Sequence, residues 1–138
     1  MKQLILALAV LAAPAAVAAP DAPLRNPIEV PFIGFKAVVD DGRVVSTWKR
    51  YRRDDFLAYR LVKSDTDAAP VFPATKAIYT TTAPGDTMYE DGFLSVGTWH
   101  YRLCIITRYG DRWVSPVVTL TLGADQVKHV VPTVADFE

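Results

Sequence analysis

The stretch Trp99 to Thr107, "WHYRLCIIT", limits the fold more than any other part of the chain. Trp99, Tyr101, Leu103 and Ile105 fall on one side, and His100, Arg102, Cys104 and Ile106 on the other, a period of two that belongs to a strand. Aromatic and β-branched residues recur in it, and these suit a pleated, half-buried surface. No stretch from Ile33 onward carries a helical period, so the chain reads as all-β.

Turn residues divide the rest into similar short runs. Ile33 to Val39 reads as a first strand, ended by Asp40-Asp41-Gly42, where the glycine can take positive φ. Arg43 to Lys49 is a second, with Val44, Ser46 and Trp48 on one face. In Phe56 to Lys63, "FLAYRLVK", alternation places Leu57, Tyr59 and Leu61 on a common face. Ala77 to Thr82 reads as an edge strand because Pro70, Pro73 and Pro84 crowd it, and Thr87 to Glu90 as a short strand. "RYGDRW" then turns the chain into a last strand, "VSPVVTLTL". About seven short antiparallel strands at this spacing predict a sandwich of two sheets.

The ends read differently. Lys2, the apolar run Leu4 to Ala13, Pro14 and the small residues Ala16 and Ala18 make a secretory leader the expectation for residues 1–18. The run is shorter than the roughly 20 residues that a permanent span needs, so export to a periplasmic or secreted location is expected, with no membrane span after processing. Residues 19–31 carry Pro20, Pro23, Pro27 and Pro31 and read as a polyproline-like linker. One domain is expected over 32–122, followed by a tail over 123–138. Cys104 is the sole cysteine, so no internal disulfide can form. With 15 basic and 15 acidic residues the chain has no global field for a polyanion, and a nucleic-acid partner is disfavoured.

From about Ile33 to Leu122 these residues resemble a fibronectin type III domain of the kind found in bacterial exported proteins. Trp48 looks like that family's second-strand tryptophan, and "FLAYRLVKSDTDAAPVFP" resembles its third strand and following loop. "YEDGFLSVGTWHYRLCIIT" is similar to the corner that feeds its sixth strand, and "SPVVTLTL" to its last. The chain departs from the pattern at Ser46, where an inward aliphatic is usual, at Val96 in place of a corner proline, and at Trp99 or His100 in place of the corner tyrosine. The resemblance implies an immunoglobulin-like sandwich and no single function, since such modules serve as binding faces, spacers and scaffolds.

Catalytic and metal chemistry has little to start from. A blue-copper site needs a second His and a Met soon after the Cys, but Cys104 is followed by "IITRYGDRWV" and His129 is remote, so a buried free thiol is expected. No G-x-S-x-G, H-E-x-x-H or C-x-x-C occurs. Asp65 and Asp67 could supply oxygens to calcium, yet carboxylates in turns more often bond nearby amides. Arg108-Tyr109-Gly110-Asp111 imitates an adhesion motif with a tyrosine inserted, and a tight turn explains it without a partner. The expectation is therefore a non-enzymatic protein with no cofactor and no metal.

What stands out is "TWKRYRRDDF", Thr47 to Phe56, where four cations surround a tyrosine and are answered by Asp54 and Asp55. In the sandwich that the resemblance implies, this loop and the one before the last strand share an end. Tyr51, Arg52, Arg53, Tyr109, Arg112 and Trp113 would then gather, and arginines with aromatics are the residue types enriched at interfaces. The sharp expectation is an accessory module of the cell envelope that binds a protein there. The alternative is a carbohydrate-binding module with Tyr51, Tyr109 and Trp113 as an exposed platform, and the plain reading is a solvated loop whose aspartates screen its arginines.

Overall fold

Alternation and turn chemistry produce nine strands among the described residues: β1 (Pro27–Glu29), β2 (Lys36–Asp40), β3 (Arg43–Thr47), β4 (Phe56–Ser64), β5 (Ala77–Thr81), β6 (Met88–Asp91), β7 (Gly97–Thr107), β8 (Arg112–Val114) and β9 (Val118–Leu122). The structure, a computed structural model, describes residues 22–127 and 132–137. The leader and its cleavage point lie outside the described residues, as does His129. Among those described, no helix is long and apolar enough to cross a membrane.

One sheet runs β1-β8-β7-β4-β5, with β9 also paired to β7, and the other runs β2-β3-β6. The order β4-β7-β9 opposite β2-β3-β6 is the layout of an immunoglobulin-like fold. Two apolar clusters fill the space between the layers. Trp48, just past the end of β3, meets Tyr59, Leu61, Leu103 and Ile105 of the larger sheet, with the Trp48 and Tyr59 rings edge to face at 5.5 Å. Ala37 and Val44 meet Tyr101 in the second cluster.

The count of seven strands needs correction, and two local causes account for the difference. "VSPVVTLTL" is split, because Pro116 has no N–H to give to β7, so β8 and β9 pair with β7 on either side of the break. Ser115 fills the gap: its Oγ accepts from the Leu103 amide at 3.0 Å, and its own N–H reaches the Leu103 carbonyl at 2.9 Å. The ninth strand comes from the segment read as a linker. Pro27–Glu29 lies parallel to β8, and Arg25 N–H bonds the Gly110 carbonyl at 2.8 Å. Gly110 has φ +86°, and a Cβ there would stand 2.0 Å from the Pro23 carbonyl oxygen, so only glycine allows this close passage.

The faces of β4 also differ from simple alternation. The register shifts between Phe56 and Ala58, so Phe56 joins Tyr59 and Leu61 inside while Leu57 turns to the outer side. There Leu57 packs with Cys104, Ile106, Val114, Val71 and Phe72. The larger sheet is thus covered on both faces, which leaves Cys104 fully buried and its thiol pushed up by desolvation.

Candidate functional site

The basic loop is held from below by backbone and phenol bonds. Pro31–Ile33 forms a single 3-10 turn that buries Ile33 and turns Phe32 outward, 77% exposed. The Ile33 carbonyl accepts from Lys49 N–H at 3.0 Å, which sets the start of the loop. Tyr51 N–H donates to the Tyr59 hydroxyl at 2.8 Å, and that hydroxyl donates to the Pro84 carbonyl at 2.8 Å, so a core tyrosine pins the middle. At the end, Asp55 O accepts from Arg108 N–H at 2.9 Å, joining this loop to the turn after β7.

Between these anchors lies a groove of about 610 Å³. Val30, Phe32, Ile33, Ile105 and Trp113 give it an apolar lining, while Lys49, Arg50, Arg52 and Arg53 stand around it. Four cations face two carboxylates, and both carboxylates are engaged. Asp55 accepts from the Tyr51 hydroxyl at 2.7 Å and lies 3.8 Å from Arg53 Nε. Asp111 is paired with Arg25 at 3.1 Å and takes the Thr107 hydroxyl at 3.0 Å. Burial, and then the bond to Asp55, push the Tyr51 phenol up to about 12, so it stays a neutral donor at physiological pH.

Of the six residues picked from sequence, the groove gathers Tyr51, Arg52, Arg53 and Trp113. Arg112 and Tyr109 do not line it. Neighbours on β8 point to opposite faces, so Arg112 goes to the outer side and donates to the Arg25 and Phe72 carbonyls at 2.6 and 2.9 Å. Tyr109 sits at the tip of the turn, 57% exposed, beside the Arg108 guanidinium. The three rings of the carbohydrate reading therefore form no common platform: Tyr51 and Trp113 are half-buried in the groove and Tyr109 stands apart. Arg108 and Asp111 of the adhesion-like turn are spent internally, Arg108 on the Asp54 carbonyl and Asp111 as above. Asp67 holds the Ala69 amide in a local turn.

The six residues picked from sequence left out Phe32, Lys49 and Arg50, although the two cations belong to the basic loop that the sequence singled out. Phe32 carried a signal, since Pro31 is well placed as the first residue of a helical turn and ends strand alternation there. Lys49 was counted as the end of a strand that stops at Thr47.

Neither a family model nor a curated protein sequence matches the chain. Among solved structures it is similar to pectate lyase PelI from Erwinia chrysanthemi, in complex with tetragalacturonic acid, with TM-score 0.50 and 10% identity over 62% of this chain and 27% of that one. A pectate lyase from Pectobacterium carotovorum gives TM-score 0.50 and 10% identity over 66% and 27%. The sixth fibronectin type III domain from human fibronectin type III domain containing protein 3 gives TM-score 0.49 and 17% identity over 81% and 96%. At such identities the likeness to the lyases is one of fold, and it spans about a quarter of each lyase chain. One expectation is corrected by it. The non-enzymatic reading drew on the fold as well as on missing motifs, and two enzymes contain this fold, so the fold does not exclude the chain from an enzyme.

Proposed function

We propose that the chain is an exported fibronectin type III-like module of the cell envelope that binds a protein partner in the groove between Phe32, Tyr51 and Trp113. The observation that carries the reading is the combination in one concavity of an apolar lining with four cations, of which Arg53 is paired with Asp55, while the second lining carboxylate, Asp111, is taken by Arg25 from outside the groove. An extended segment with an aromatic or aliphatic anchor flanked by Asp or Glu suits such a groove, since the anchor is desolvated and the charges steer it in. Export rests on the leader pattern of residues 1–18.

A second reading is an acidic polysaccharide. The cations around half-exposed rings favour it, and the PelI structure holds tetragalacturonic acid, although the likeness to that enzyme is one of fold.

Phe32, Arg52 and Arg53 are exposed, so Phe32→Ser with Arg52→Ser and Arg53→Ser alters the groove without opening the core. Immobilised mature protein of both forms is challenged with native envelope extract and, separately, with oligogalacturonate. A protein held by the wild type and released by the triple variant supports the first reading. Groove-dependent retention of oligogalacturonate alone supports the second. Equal retention by both forms in both assays overturns the groove as a site.

A further inference from the structure

The formal net charge is zero, but the charges are sorted between the two ends of the molecule. Thr47 lies opposite Lys36 and Met88, and Phe56 lies opposite Thr107, so the basic loop, the Pro31–Ile33 turn and the turn after β7 share one pole. Ser64 lies opposite His100, Val44 opposite Asp91, and Leu122 opposite Gly97. The Asp40–Arg43 turn, the loop after β4, the loop 92–96 and the turn after β9 therefore share the other.

That second pole is acidic and carries an apolar tip. Asp40, Asp65, Asp67 and Asp125 are exposed there. Its basic residues are mostly spent: Arg43 pairs with Glu90 at 2.7 Å, and Lys63 with Asp91 at 2.8 Å, leaving Lys76 on the flank. There the loop 92–96 exposes Phe93, 86%, and Val96, 61%. The loop base is fixed, because Lys63 Nζ donates to the Phe93 carbonyl at 2.7 Å, Phe93 N–H donates to Asp91 at 3.0 Å, and Trp99 Nε1 holds the Ser95 carbonyl at 2.8 Å. A presented aromatic on a fixed loop loses little conformational entropy on docking.

The two poles are complementary in charge and in apolar character: a concave basic groove with an apolar lining, and an acidic end with an exposed apolar tip. We propose that the partner of the groove is the Phe93 tip of a second copy of this chain, in a head-to-tail contact. This rests on the groove being the binding site argued above. Because the two surfaces differ, the contact is heterologous, and a third copy can add to the first two. Sandwich ends bury little area, so the association belongs to the weak, transient class and depends on ionic strength.

Two variants test it. Arg52→Glu with Arg53→Glu disables the groove, and Phe93→Ser with Asp65→Lys disables the tip; all four positions are exposed, and circular dichroism verifies folding. Sedimentation velocity of the wild type should show a mass that rises with concentration past the dimer, and association at least about tenfold weaker in ~500 mM than in ~50 mM salt. Each variant alone should stay monomeric, and an equimolar mixture of the two should stop at a dimer, since one intact groove and one intact tip remain. A wild type that stays monomeric near millimolar concentration overturns the inference. So does a closed dimer that takes no third copy, or a mixture that stays monomeric. A labelled peptide of residues 90–97 separates the two proposals: binding to the wild type and not to the groove variant, with a monomeric wild type, keeps the groove as a site and removes the second copy as its partner.

Discussion

Ser46 shows how one residue can run against its surroundings. It lies on β3 opposite Ala37 and Tyr89, is fully buried, and its Oγ has no protein partner. Sequence pattern placed it on the inward face with Val44 and Trp48, and all three are buried there. A buried hydroxyl without a partner loses its water bonds and regains nothing, which costs about 1–3 kcal/mol. Ser46→Ala removes that oxygen and one small volume only. The variant should be more stable by about 1 kcal/mol, read as a higher urea midpoint with an unchanged slope. A lower midpoint would mean that the hydroxyl is satisfied in solution. Tyr101 is the opposite case. From full burial it donates its hydroxyl to Asp91 at 2.8 Å, while Trp99, which stands in the place of the corner tyrosine, bonds the Ser95 carbonyl four residues upstream at 2.8 Å.

At the scale of elements, the same Asp91 ties the two sheets together. It lies at the end of β6, and its Oδ2 accepts both the Tyr101 hydroxyl of β7 and Lys63 Nζ of β4, with the ammonium 4.7 Å from the Trp99 ring. Lys63 and Asp91 side chains are only 9% and 3% exposed. Asp91→Ala leaves a buried ammonium without its counter-charge and should cost about 3–5 kcal/mol in urea unfolding. Asp91→Ala with Lys63→Met removes both charges and should recover a large part of that loss; a double variant no better than the single one would show that the acid acts mainly through Tyr101. None of this was legible in the sequence, where Lys63 and Asp91 stand 28 residues apart at strand ends. The strands themselves were legible wherever period two met a turn residue, as in β3 and β7. The errors arose where one residue changed the ladder: the register shift after Phe56 reversed Leu57, and Pro116 cut the last strand. β1 was missed because its three exposed residues carry no inward pattern and pair only with β8.

For the whole molecule, which loops share an end was legible, because the resemblance fixed which loops meet. Which side chains face the groove was not, since that depends on the hand of β8 and on the 3-10 turn that turns Phe32 outward. Tyrosines show a further property that belongs to the molecule as a whole. Tyr51, Tyr59 and Tyr101 are raised chiefly by burial, and Tyr79 chiefly by its bond to Asp86. They come from the basic loop and from β4, β7 and β5 of the larger sheet. In the unfolded chain a tyrosine titrates near 10. A phenol whose folded value lies higher gives stability that is complete below about pH 10 and is lost as pH rises through the folded value, because the unfolded chain releases its proton first. The Tyr51 value of about 12 sets the window for that group. The urea midpoint should therefore hold steady from about pH 7 to 9 and fall continuously from about pH 10 to 12. Tyr101→Phe should flatten the fall, since it removes one such phenol while keeping the ring in the core. A midpoint that stays level to about pH 12 would show that these hydroxyls titrate freely in the folded protein, and that the interior described here does not hold them.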